Sequence, residues 1–210
     1  MGALVILLVS FVVGSIPVAN LFARVTRGVD LREVETGTVS GTGLYRVAGF
    51  TWLAVAGILD IAKGAVGPLL AGSGRPGLAA VAGGLAVAGH DWSPFLRGAG
   101  GRGIAPAVGA LLVNAWVGAV LLLAALGLGR LARRTGLFTF VAEVVLTPVL
   151  ALTDGGVGAL AGLAVATPML LKRVTGNAPA ARTDASVDTA RHRIYVHRLL
   201  YDRDPAPGRP

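Results

Sequence analysis

The residues Gly98-Ala99-Gly100-Gly101-Arg102-Gly103 lie between two apolar runs and follow Gly89-His90 at short range. Glycines in such a run leave backbone N–H groups bare, and successive N–H groups in a turn form a concavity that takes an anion. A helix starting just after them would add the positive end of its dipole. Arg102 supplies a guanidinium suited to phosphate. This chemistry is a phosphate pocket; the same composition also reads as a flexible loop. A second segment has a related character. Between Asp30-Leu31-Arg32 and Arg46 the chain runs Glu35-Thr36-Gly37-Thr38-Val39-Ser40-Gly41-Thr42-Gly43, dense in hydroxyls and glycines and bracketed by arginine. Hydroxyls and bare N–H groups donate to phosphate oxygens, although a Gly/Thr-rich linker has the same look.

The elements that must hold these loops are membrane helices. Of 210 residues, 54% are apolar and 14% charged, a balance that gives a polytopic all-α bundle in a bilayer. No leader-like basic start or cleavage site interrupts the first apolar run, which reads as a span. The apolar runs place spans at about 2–23, 48–71, 78–96, 115–129, 137–153 and 155–171. The run 104–113 is too short to cross. At ~1.5 Å per residue it reaches about half of a ~30 Å core, so it reads as a half-span and brings the membrane elements to seven. Residues 1–175 form the membrane domain. Residues 176–210 form a basic tail, in which 179–190 is polar and reads as a disordered linker.

The net charge of +8 is spread over short interhelical segments, which argues against nucleic-acid binding and instead sets orientation. Arg24, Arg27, Arg32, Arg46, Arg97, Arg102, Arg130, Arg133, Arg134 and all basic residues from Lys172 onward fall on one face if the N-terminus is outside; Arg75 then faces out. That is a positive-inside pattern with a cytoplasmic C-terminus. Asp60 and Lys63 share a helix face within the second span and neutralise each other. Glu143 has no sequence-local partner, and reads as bonded to Ser, Thr or Asn of a neighbouring span or as a proton relay. With no cysteine and three histidines lacking metal-ligand spacing, no metal site is expected.

In order and spacing these pieces resemble the bacterial acyl-phosphate:glycerol-3-phosphate acyltransferase family, PlsY. Gly14-Ser15-Ile16-Pro17 matches the end of its first span, and Arg32, Gly37, Thr42, Arg46 and Gly49 match its first loop, with Thr36 where the family has serine. Asp60, Lys63 and Gly64 keep its Asp-x-x-Lys-Gly. Gly89-His90, Phe95, Gly100-Gly101, Gly103 and Ala105 keep the second motif, while Ala99 and Arg102 replace its two lysines and Pro106 its threonine. The third motif, Arg-His-x-x-Asn-Ile-x-Arg-Leu, aligns at Arg191-His192, Val196 and Arg198-Leu199, with Tyr195 at the asparagine; Lys172-Arg173 is the other placement.

The resemblance implies transfer of an acyl chain from acyl phosphate to the 1-hydroxyl of glycerol-3-phosphate, giving lysophosphatidic acid at the bacterial cell membrane, among membrane lipids and with no cofactor. It implies Thr36, Arg46 and His192 as catalytic residues. It implies Gly37, Thr42, His90, Gly100, Gly101, Arg102 and Gly103 as substrate-binding residues. No serine or cysteine stands beside a base, so direct transfer is expected rather than a covalent enzyme intermediate. The substituted motifs leave a second reading, a catalytically weakened relative that binds phospholipid or acyl phosphate as a partner subunit. A small transporter using Asp60, Lys63 and Glu143 is a third. The charge pattern predicts that cysteines placed at Arg75 and Arg134 label from opposite faces of the membrane; labelling from one face overturns the orientation.

Overall fold

The structure, a computed structural model, describes residues 1–34, 37–177, 196 and 198–200. Thr36 and His192 lie outside the described residues, as do Glu35, Tyr195 and the polar stretch 179–190. Among the described residues every regular element is helical: α1 (Ala3–Gly14), α2 (Val18–Arg27), α3 (Gly41–Ala48), α4 (Phe50–Ala71), α5 (Pro76–Asp91), α6 (Ile104–Asn114), α7 (Trp116–Leu131) and α8 (Thr135–Thr175), with 3-10 turns at Leu31–Glu33 and Pro94–Leu96. Ala3–Arg27, Phe50–Ala71 and Thr135–Thr175 are each long and apolar enough to cross a bilayer.

The first apolar run is not one helix. Pro17 lacks an N–H and disfavours helical backbone at Ile16, so the chain breaks there and restarts as α2. The latter buries Val18, Ala19, Asn20 and Ala23 and ends at Gly28 in the left-handed region (φ 68°), with Arg24 and Arg27 in its last turn complementing the dipole. The following loop is more ordered than a linker. Ser40 caps α3, its Oγ accepting from the Gly43 N–H at 3.2 Å.

The two last expected spans are two helical limbs of α8, joined by a reversal at Gly155, whose φ of 62° and ψ of −146° fall where glycine alone is comfortable. Its limbs pack so tightly that a Cβ on Gly162 would be 2.8 Å from Thr147 Cα. The expected half-span is α6, about 16 Å long at ~1.5 Å per residue. A Cβ on Gly83, midway along α5, would lie 3.7 Å from Asn114 Nδ2 at the far end of α6. Helix α7 then returns to the end from which α6 entered.

Small residues allow these helices to touch backbone to backbone, as membrane bundles do when lipid removes the hydrophobic drive for helix association. Large apolar side chains such as Leu8, Ile58, Leu69, Trp116, Leu152 and Leu163 point outward and stay exposed on the protein surface, where acyl chains solvate them. Lys172 reaches the carbonyl of Gly98 (3.3 Å), and Arg173 that of Gly136 (3.3 Å), so the glycine loop and both outer ends of α8 share one end of the bundle. Arg75 donates to the Met1 carbonyl (3.1 Å) at the opposite end.

A Cβ on Gly109 would fall 1.8 Å from the Ile61 carbonyl, so Gly109→Ala is expected to lower stability by about 1–3 kcal/mol. Gly57, with nothing within 4 Å, is the control: Gly57→Ala is expected to be neutral or to add about 0.5–1 kcal/mol. Thermal unfolding in one detergent compares the two.

Candidate functional site

A buried cation organises the floor of the site. The Lys63 ammonium contacts Asp60 Oδ1 at 2.8 Å, donates to the Ile16 carbonyl at 2.7 Å, and lies 2.9 Å from His90 Nδ1. The Asp60–Lys63 pairing expected from spacing is present, and His90 from α5 joins it. An ammonium only donates, so Nδ1 is the acceptor here and the ring proton sits on Nε2. That Nε2 faces the glycine loop: a Cβ on Gly101 would be 2.1 Å from it.

The loop lies on the end of α5 with almost no space between backbones. A Cβ on Gly100 would be 2.3 Å from the carbonyl oxygens of His90 and Asp91, and the Gly101 N–H donates to the His90 carbonyl (3.2 Å). Gly103, in the left-handed region (φ 71°), opens α6. The side-chain amide of Asn177 holds the loop from its other side, accepting from the Gly100 N–H (3.1 Å) and donating to its carbonyl (2.9 Å). Lys172 is fully buried and sits over the Trp92 ring as well as on the Gly98 carbonyl. Arg102 donates to the Lys172 carbonyl (3.0 Å). A small cavity lined by Pro17, Val39, His90, Ser93, Gly100 and Gly101 opens at the centre.

The first loop meets this structure through Val39, whose N–H donates to the Gly100 carbonyl (3.1 Å). Gly37 takes a left-handed turn (φ 67°), and Thr42 and Arg46 lie exposed on the first and last turns of α3. Beside the cavity runs a groove of ≈ 570 Å³ whose lining includes Ile16, Leu21, Phe95, Arg24, Arg32 and Arg97. Asp30 gathers two of these arginines. The Arg32 guanidinium (2.6 Å), joined by that of Arg24, holds the Asp30 carboxyl well below the usual range despite its partial burial.

Sequence reasoning missed the part played by the end of α8. The helix runs on to Thr175, and Arg173 is buried inside it rather than trailing the last span. Arg173 donates to Glu143 Oε2 (2.6 Å) and Oε1 (2.8 Å) and to Thr139 Oγ1 (2.6 Å). The expected hydroxyl or amide partner of Glu143 is thus corrected to a guanidinium, because a buried carboxylate is best neutralised by a charge that also fills its lone pairs. The signal lay in the spacing: Arg173 and Asn177 stand four apart, as do the arginine and asparagine of Arg-His-x-x-Asn. Of the two placements of that motif, this end of α8 touches the glycine loop, while residues 191–195 lie outside the described residues. Arg198, buried, donates to the Val174 carbonyl (3.3 Å), so residues 198–200 also return here.

A family model described as glycerol-3-phosphate acyltransferase matches residues 4–180. Among curated proteins, the glycerol-3-phosphate acyltransferase of Chlorobium phaeobacteroides is 41% identical over 63 residues, 30% of this chain and 27% of that protein. That of Desulforudis audaxviator is 39% identical over 82 residues, 37% of this chain and 41% of the relative. The aligned stretch therefore spans about a quarter to two fifths of these relatives. The crystal structure of PlsY (YgiH), an integral membrane glycerol 3-phosphate acyltransferase, in its glycerol 3-phosphate form superposes with a TM-score of 0.75 at 24% identity, covering 98% of this chain and 96% of that one. Its lysophosphatidic acid form gives 0.73 at 21%, covering 98% and 95%. At these identities the likeness shows the fold: an integral membrane helical bundle.

Asn177→Ala removes both side-chain bonds to Gly100. With each bond contributing about 0.5–1.5 kcal/mol, amide exchange at Gly100 is expected to quicken roughly tenfold or more, while the unfolding midpoint moves little. Unchanged exchange would show that Asn177 does not hold the loop.

Proposed function

Because the chain belongs to the glycerol-3-phosphate acyltransferase family, we propose that it transfers an acyl chain from acyl phosphate to the 1-hydroxyl of glycerol-3-phosphate. The observation that carries this reading is the Gly98–Gly103 loop, pressed onto His90 and held by Asn177, where Gly100, Gly101 and the His90 ring line one cavity and Lys172 and Arg102 meet at the loop. Two cations at a glycine loop suit a phosphate. The neighbouring groove suits the donor, with apolar side chains along its wall and Arg24, Arg32 and Arg97 at its polar side.

In the step proposed, the glycerol 1-oxygen bonds to the acyl carbon and the acyl carbon–oxygen bond to phosphate breaks. Inorganic phosphate leaves, and the hydroxyl proton passes to it. Lysophosphatidic acid remains in the bilayer. Direct transfer is favoured by the serines of this region: Ser15 and Ser93 donate their hydroxyls to backbone carbonyls (2.7 and 2.6 Å), not to a base. The chain's work is then positioning and stabilisation of developing negative charge. Thr36, Arg46 and His192 are the further groups proposed to act on the reacting atoms, with Gly37 and Thr42 binding beside them. The arginine distribution supports a multi-pass protein of the bacterial cell membrane with the site facing the cytoplasm and the N-terminus outside.

Purified full-length protein supplied with acyl phosphate and labelled glycerol-3-phosphate is expected to form labelled lysophosphatidic acid and inorganic phosphate in equal amounts. Phosphate binding without labelled lipid would overturn the enzymatic reading. Gly101→Ala drives a methyl against the His90 ring and is expected to raise KM for glycerol-3-phosphate at least tenfold, about 1.4 kcal/mol or more, with a smaller effect on kcat.

A further inference from the structure

Three arginines line the groove beside the glycine loop, and Asp30 engages two of them. Arg24 and Arg32 are both ion-paired to its carboxylate. The Arg97 guanidinium lines the same groove and has no hydrogen-bond or ion-pair partner among the described residues. Its backbone is unusual as well. Arg97 lies in the left-handed region (φ 56°, ψ 40°), where glycine is comfortable and a side chain is uncommon. Neighbouring bonds hold it there. The Ser93 carbonyl accepts from the N–H groups of Leu96 (3.0 Å) and Gly98 (2.9 Å), and the Arg97 N–H donates to the Pro94 carbonyl (3.2 Å). Ser93 Oγ ties the turn to the Ser15 carbonyl (2.6 Å). A fixed turn thus presents an uncommitted cation where backbone conformation alone would favour glycine, and such an outlier points to use. The groove also has Ile16, Leu21 and Phe95 in its lining, large apolar side chains that are left exposed. It meets the cavity at the loop through Pro17 and Leu96, which line both. An occupant that satisfies the whole lining is a single-chain amphiphile with an anionic head.

We infer that Arg97 binds the phosphate of the acyl phosphate donor and so places the acyl carbon where the groove opens into the cavity. The inference rests on reading the groove as the donor site. A guanidinium grips a phosphate through two parallel N–H donors, which fixes direction as well as position. Arg24 and Arg32 are already drawn to Asp30 and cannot replace Arg97 without weakening those pairs.

Dodecyl phosphate, an unreactive single-chain phosphate ester, is the probe in calorimetric titration of purified full-length protein in a nonionic detergent. Arg97→Gln is expected to weaken its binding roughly fivefold to tenfold, with Arg97→Lys in between. Arg27→Gln removes the same charge from the last turn of α2, outside the groove lining, and is expected to leave binding unchanged. In turnover, Arg97→Gln raises KM for acyl phosphate by the same factor and leaves KM for glycerol-3-phosphate as it was. Arg97→Gly suits the left-handed turn, so the unfolding midpoint holds or rises while probe affinity falls. Equal weakening by Arg27→Gln and Arg97→Gln would mean general attraction to a basic surface and overturns the inference, as does unchanged probe binding in Arg97→Gln. Turnover by the unsubstituted protein then keeps the proposed function standing. A midpoint that falls in Arg97→Gly along with affinity would mean that Arg97 holds the turn and not the ligand, and also overturns it. Relief of inhibition by lysophosphatidic acid in Arg97→Gln, with donor KM unchanged, overturns it in favour of a product site. If the unsubstituted protein binds dodecyl phosphate through Arg97 but forms no labelled lipid, the enzymatic reading falls and the phosphate-binding role of Arg97 stands.

Discussion

The Lys63 ammonium is the interaction on which the rest of the site depends. It lies inside a bundle where water is scarce and an unpaired charge is expensive. Its contacts come from three places: Asp60 one turn earlier on its own helix, the Ile16 carbonyl at the break between α1 and α2, and His90 Nδ1 at the end of α5. Each partner is needed to neutralise or solvate the charge, so each element is drawn to one point. The Ile16 carbonyl is available because Pro17 interrupts the helix. Fixing Nδ1 turns Nε2 toward Gly101, and the glycine loop can settle there only because it has no side chain to collide with the ring.

The end of α8 is held by the same rule. Arg173 and Glu143 are almost completely buried, 2% and 1% exposed, and join the two limbs of the reversed helix. Removing one partner from such a pair costs about 3–5 kcal/mol, because the other is left charged and alone. The clamp has a consequence for the site: Arg173 sits between Lys172, which reaches Gly98, and Asn177, which holds Gly100. A pair that stabilises the bundle thereby sets the register of two side chains on the loop.

The family substitutions at the loop make sense in this setting. Ala99 packs against the cluster containing Val18, Val39, Leu44 and Leu96, where a lysine would have to leave an apolar contact to reach the loop. Lys172 approaches the same loop from α8. Arg102 keeps a cation where the family has lysine, and its guanidinium spans to the Lys172 carbonyl.

Much of the architecture was legible in the chain, because in a bilayer apolar run length and the placement of arginine are nearly sufficient constraints. The half-span α6 follows from ten or eleven residues being too few to cross, and the Asp60–Lys63 pair from helical spacing. The glycine loop stood out because bare backbone in that density is unusual next to a histidine. What the chain did not reveal were contacts between residues distant in sequence. The break at Pro17 hides in a continuous apolar run; hydropathy reports composition and not backbone direction. Glu143 found Arg173 thirty residues away, and Asn177 found Gly100 seventy-seven away, pairings that exist only because Gly155 turns α8 back on itself. Asp91 carries no signal in the sequence, and only the packing of α5 beneath Gly103 buries its carboxyl. Local pattern determined which segments enter the membrane. The need to satisfy buried charges and backbone groups with whatever the folded neighbours supply, a condition that no local window contains, decided which side chains meet at the loop.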